Sequence, residues 1–170
     1  MSMNFKEDFK MARDNLIIEG AKIIFRNFSG EATQYNRAGN RNFCVIIEDE
    51  DLAAKLIEDG WNLKLMKPRD PDEQPNHYLQ VTVSYANVPP QIYQVTSSNK
   101  VLLSEETISG LDYADIDCAD LVINPYHWDV NGKTGIKAYL GTGYFTIRED
   151  AFAKKYEGVG IGSDVDINLI

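Results

Sequence analysis

The sequence predicts one mainly-β domain with short inserted helices, folded as a small, mostly antiparallel barrel. Three observations predict it. Short runs of period-two alternation recur along the chain, separated by clusters of Gly, Pro, Asn and Ser. Helical stretches are few and brief. Strand follows strand before any helix intervenes, which excludes the regular βαβ series of a doubly wound sheet. The 170 residues, 44% apolar and 25% charged, amount to one domain of ordinary composition and exclude wholesale disorder.

The elements follow in order. Residues 1–14 read as a frayed or loosely helical leader, without the apolar core of a secretory signal. Residues 15–28, NLIIEGAKIIFRNF, read as a strand kinked at Gly20, where the missing Cβ permits a bulge. A polar loop leads to a second strand over 41–48, giving an antiparallel hairpin with a long connection. Residues 48–60, EDEDLAAKLIEDG, read as a helix, with acids in its first turn complementing the dipole and Gly60 closing it. Strands are predicted over 61–67, 78–85, 91–96 and 100–103, with a proline-rich loop after the first of them. A short helix starts with Ser104 as N-cap. A strand over 118–128, interrupted at Asn124 and Pro125, meets its return over 135–147 through a turn at Asn131 and Gly132, residues suited to positive φ. A helix over 149–156 and a glycine-containing tail complete the chain, so that the domain spans 15–157 and the tip 158–170.

No run of 18 apolar residues is present, so no membrane span or membrane partner is expected. Cys44 and Cys118 form no CxxC pair and sit in apolar surroundings, which fits a reducing cytosol. The net charge is −9. Taken whole, this argues against a nucleic-acid binder. The charge is segregated, however. Residues 22–47 hold Lys22, Arg26, Arg37 and Arg41 against Glu31 alone. Lys64, Lys67 and Arg69 in 61–69, and Lys133, Lys137 and Arg148 in 131–148, face no acid within their segments. A basic sheet face on an acidic body suits a polyanion, whose phosphates Lys and Arg neutralise with release of counterions. The same charge pattern also describes the solvent side of a half-buried sheet.

Aromatic residues interleave with these cations, as in proteins that stack unpaired bases. Alternation puts Ile24, Arg26 and Phe28 on one face and Ile23, Phe25 and Asn27 on the other, which makes the Arg26 and Phe28 face the candidate ligand face. Arg41 and Phe43 share a face of the next strand, and the loop between supplies Tyr35, Asn36 and Arg37. Phe25 and Phe145 are expected in the core. Trp61, after a helix-ending glycine, reads equally as a core anchor or a stacking platform.

Catalytic patterns are missing. His77 and His127 lack ligand partners at helical spacing, and zinc, GxSxG and phosphate-loop signatures are absent. The acids at 48–51 fit a helix N-terminus, and Asp112, Asp115, Asp117 and Asp120 lack the glycine and terminal Glu of a calcium loop. The expectation is a protein that is not an enzyme and needs no metal or cofactor. The C-terminal tip pairs Asp164 and Asp166 with Ile167, Leu169 and Ile170, a pattern that suits either docking on a partner protein or a last strand.

The runs IIFRNFSGEATQYNRAGNRNFCVII and LVINPYHWDVNGKTGIKAYL, with DLAAKLIEDGWNLKLMKPR and YLQVTVSY between them, resemble bacteriophage single-stranded DNA-binding proteins over nearly the whole chain. The resemblance implies an OB-like antiparallel β-barrel that coats single-stranded DNA in phage replication or recombination, in the cytoplasm of the bacterial host. The tip is similar in part to the acidic C-termini through which bacterial single-strand binders recruit replication and repair proteins. Charge, alternation and loop position assign the contacts: Arg26, Arg37, Arg41, Lys64, Lys67, Lys133 and Lys137 neutralise phosphates. Phe28, Tyr35, Phe43, Trp61 and Tyr139 stack bases, and Asn36 hydrogen-bonds a base or sugar. The alternatives are a non-catalytic protein-interaction or assembly module and a metal-dependent phage nuclease, and a homo-oligomer is open on any of these readings.

Overall fold

The computed structural model describes residues 15–86 and 88–149. The leader, the helix expected after Glu149 and the tip with Asp164, Asp166, Ile167, Leu169 and Ile170 lie outside the described residues. Among those described, no helix is long and apolar enough to cross a membrane.

Among the described residues nine strands form one sheet: β1 (Leu16–Ala21), β2 (Ile23–Asn27), β3 (Arg41–Ile47), β4 (Leu63–Leu65), β5 (His77–Val83), β6 (Gln91–Val95), β7 (Lys100–Leu103), β8 (Ile116–Val130) and β9 (Lys133–Ile147). The main path runs β1-β8-β9-β5-β3-β2. Its two ends are consecutive in sequence, with Lys22 alone between them. The expected kink at Gly20 is therefore a division of labour. Gly20 takes φ +63°, the register slips, and the chain leaves β8 to pair with β3.

The sheet is mixed rather than wholly antiparallel. β5 and β6 both run parallel to β9, because they follow one another along the same edge of that strand, beside residues 138–139 and then 142–146. The expected interruption at Pro125 is absent. β8 continues through it opposite Ala138, since proline's fixed φ is compatible with extended backbone. The hairpin turn falls at Asn131 (φ 54°) and Gly132 (φ 79°), as their side chains allow.

The single α-helix among the described residues, α1 (Glu50–Asp59), begins where Asp49 accepts the N–H groups of Asp51 and Leu52 and ends at Gly60 with φ 106°. The helix expected from Ser104 is instead a 3-10 turn over Ile108–Asp112. Ser104 takes part in the preceding turn, accepting the N–H of Thr107 on its carbonyl.

The core is apolar throughout, with no buried charged residue among those described. At its centre Phe28, Phe43 and Phe145, all fully buried, meet with ring centroids 5.2, 5.5 and 5.8 Å apart. Phe145 is thus in the core as expected. Phe25 is not: it is 62% exposed and sits edge-to-face on Tyr78.

Candidate nucleic-acid interface

A groove of about 750 Å³ runs between the loop joining β2 to β3, the outer face of β5, and the β8–β9 hairpin. Pairing places Asn42, Gln80 and Thr82 on its floor, since Phe43, Val81 and Leu79 turn inward from the same strands. The cations on its walls are Arg37, Arg41 and Lys137, and among the described residues no carboxylate lines it, while Glu105 pairs with Arg41 from beside it. In a chain of net charge −9 this is a local reversal of sign. A second cavity of about 460 Å³ continues from Arg41 and Lys137 towards Tyr85 and Tyr139, and there Glu105 joins the rim.

The loop on the near wall is tied together by its own polar groups. The Asn36 side-chain amide is directed at the carbonyls of Glu31, Arg37 and Asn40 at 2.9, 3.1 and 2.9 Å, while its Oδ1 accepts from Asn42. Gly39 N–H closes the base of the loop on the Gly30 carbonyl. An amide committed to four partners is a scaffold, so Asn36 holds the loop rather than reading a base. The loop presents Tyr35, 90% exposed, and the exposed Arg37.

Arg41 stands at the junction of the two cavities. Its Nε donates to the Phe28 carbonyl at 3.1 Å, Nη1 pairs with Glu105 at 3.0 Å, and the guanidinium lies 5.7 Å from the Tyr85 ring centroid. Burial raises the Tyr85 phenol above its usual range, against the opposing pull of Arg41. On the far wall Lys137 Nζ lies 5.3 Å from the Tyr139 ring centroid, and Tyr126 packs edge-on against that ring.

Trp128 is the residue the sequence reading missed. It pairs with Gly135 across the hairpin and lines the groove with 37% of its surface exposed. A Cβ at Gly135 would sit 2.6 Å from Cζ2 and 2.8 Å from Cε2 of the indole. The indole therefore lies directly on the glycine. The turn at Asn131 and Gly132 sets this register and was legible, so the Trp opposite a Gly was the available signal.

Other expected contacts fall elsewhere. Phe28 and Phe43 are core, as described above, and cannot stack bases. Arg26 turns inward and donates through Nη1 to the carbonyls of Leu111 and Ala114 at 2.8 and 2.7 Å, fastening the 3-10 turn. Trp61, 3% exposed, underlies the groove as a core anchor, bridged to Ile136. Lys64, Lys67 and Lys133 are exposed but line neither cavity.

Three of the acids considered for metal have structural duties. Asp112 accepts the N–H groups of Phe28 and Ser29, Asp117 pairs with Arg148 at 2.8 Å, and Asp120 accepts Gly20 N–H. Burial also pushes the Cys44 thiol up to about 11, with Lys64 opposing. Because the neutral thiol is favoured in the folded state, its stabilisation is complete below pH 9 and is lost as pH rises through about 11. Urea titrations at neutral pH and at about pH 11 are expected to show a smaller alkaline loss in Cys44→Ala than in the wild type.

A mainly-β scaffold carrying a cationic groove, with flat rings exposed on its walls, defines a binder of polyanions that also offer flat faces. The chain belongs to the family described as "Putative phage ssDNA-binding domain", which matches residues 6–169. No curated protein sequence matches it. The fold is similar to that of the single-stranded DNA-binding protein from bacteriophage Enc34 in a C-terminally truncated form. The TM-score is 0.54 at 9% identity, covering 81% of this chain and 87% of that one. It is also similar to the Enc34 protein in complex with ssDNA, at TM-score 0.51 and 9% identity, covering 81% of this chain and 88% of that one.

Proposed function

We propose that the protein binds single-stranded DNA without strong sequence preference, and that the groove over β3, β5 and the β8–β9 hairpin is the binding site. The observation that carries this is the groove's charge: Arg37, Arg41 and Lys137, and among the described residues no carboxylate, line a concavity of about 750 Å³ on an acidic chain, with Glu105 pairing Arg41 from beside it. Arg37, Arg41 and Lys137 neutralise phosphates. Tyr35, Trp128 and Tyr139 offer faces to bases, and stacking tolerates any base because each has a π-face.

The architecture we assign is an OB-like barrel. Its support is the order of pairings, β1 to β8, β8 to β9, β9 parallel to β5, β5 to β3 and β3 to β2, with β1 and β2 forming one kinked stretch of chain. In OB folds the middle strands and the two hairpin loops beside them bind oligonucleotides, and the groove lies over the corresponding elements here. The protein would act without catalysis, coating and protecting single-stranded DNA during phage replication or recombination in the host cytoplasm. Its acidic and apolar C-terminal residues would recruit proteins of those processes.

The test is fluorescence anisotropy of a labelled oligo-dT across a series of salt concentrations. Three phosphate contacts predict a slope of log affinity against log salt of roughly −2, and Lys137→Ala should flatten it by about 0.7. Duplex DNA should bind more weakly. Absence of binding at low salt would defeat the proposal.

A further inference from the structure

We infer that the DNA contact extends beyond the groove, along the outside of β9, to a second aromatic platform formed by Tyr93 and Tyr144 with Lys100. This rests on the reading of the groove given above. The rings of Tyr93 and Tyr144 stack with centroids 4.9 Å apart and planes 8° from parallel. Lys100 Nζ lies 5.0 Å from one centroid and 5.7 Å from the other. Such a pairing of flat rings with an exposed cation repeats the chemistry of Tyr139 and Lys137.

Continuity with the groove comes from a bulge. Leu140 pairs with Ile123, and Thr142 with Val122, so Gly141 is an extra residue in β9. Before it, Ile136, Ala138 and Leu140 face the core; after it, Phe145 does. One inserted residue thus reverses the alternation and brings Tyr144 to the same outer side as Lys137 and Tyr139. Between them Asn124 leans over Gly141, where a Cβ would meet its Nδ2 at 2.7 Å. The path from Tyr139 to Tyr144 is about 16 Å of extended chain. Two acids are near: Asp120, which pairs across from Tyr144 and whose Oδ1 is occupied by Gly20 N–H, and Glu149, whose carboxylate accepts from the N–H and hydroxyl of Ser97 in the turn before Lys100.

The experiment uses dT oligonucleotides of graded length with the full chain, Tyr93→Ala and Lys100→Glu. Short oligonucleotides that fill only the groove should bind all three proteins alike. The longest should bind each variant about tenfold more weakly, the effect of losing one base stack or contact, and affinity should stop rising at a shorter length. Lys100→Glu leaves the rings in place, so it decides the matter if Tyr93→Ala proves unstable. Equal losses at every length, or no loss at the longest, would overturn the second platform. So would a change in elution on a sizing column without DNA, which would mark the patch as a contact between copies of the chain. A wild-type protein that bound no oligonucleotide would overturn the groove reading itself, and the extension with it.

Discussion

Trp128→Ala is expected to weaken oligo-dT binding by roughly 5- to 150-fold, the equivalent of about 1–3 kcal/mol for one stacked base. Thermal stability should change little, because the side chain lies on a glycine at the surface and is 37% exposed. The measurement has an internal reporter. The chain contains two tryptophans, Trp61 and Trp128. Trp61 is 3% exposed, so quenching of intrinsic fluorescence by bound DNA should report Trp128. Trp128→Phe should remove the quenching while keeping part of the affinity. Gly135→Ala supplies an independent arm. Its backbone lies outside the positive-φ region, so alanine is tolerated there, yet the new methyl carbon would stand 2.6 Å from the indole. The ring must move, and affinity should fall with Trp128 still in place. Quenching that persisted in Trp128→Phe would sink the assignment.

Phe28→Ala should cost about 3–5 kcal/mol of folding stability, the usual loss for a fully buried aromatic. Phe25→Ala, three residues earlier, should change stability far less, since its ring is 62% exposed. Chemical denaturation of the two variants side by side provides the check. A Phe28→Ala protein of normal stability but poor DNA binding would restore Phe28 to the ligand face and reverse the present assignment.

The contrast between these two phenylalanines shows why the strand over 23–28 misled a reading by alternation. Ile24 pairs with Cys44 and Asn27 with Asn42, so one extra residue is present in β2. Phe25 takes it up with φ 52°, an uncommon conformation for a side chain of that size. Because the side-chain period is two, a single inserted residue exchanges the faces of everything after it. Asn27 goes outward, and Arg26 and Phe28 turn inward. Neither residue type announces this, as no glycine marks the site. Gly141 marks a similar reversal in β9, but its consequence for Tyr144 depends on pairing with β8.

The sequence by itself determined the strand-rich class, the helix with its Asp49 and Gly60 ends, the tight turn at Asn131 and Gly132, and the exposed loop carrying Tyr35 and Arg37. These are local: caps, turns and alternation act over a few residues and leave their mark in residue type. Tertiary structure decided which cations meet. Arg37, Arg41 and Lys137 come from distant segments and converge on one groove, whereas Arg26 is claimed by carbonyls 85 and 88 residues away. It also decided which aromatics are free, because burial is set by strand register and bulges, and these are settled only when each strand has found its partner.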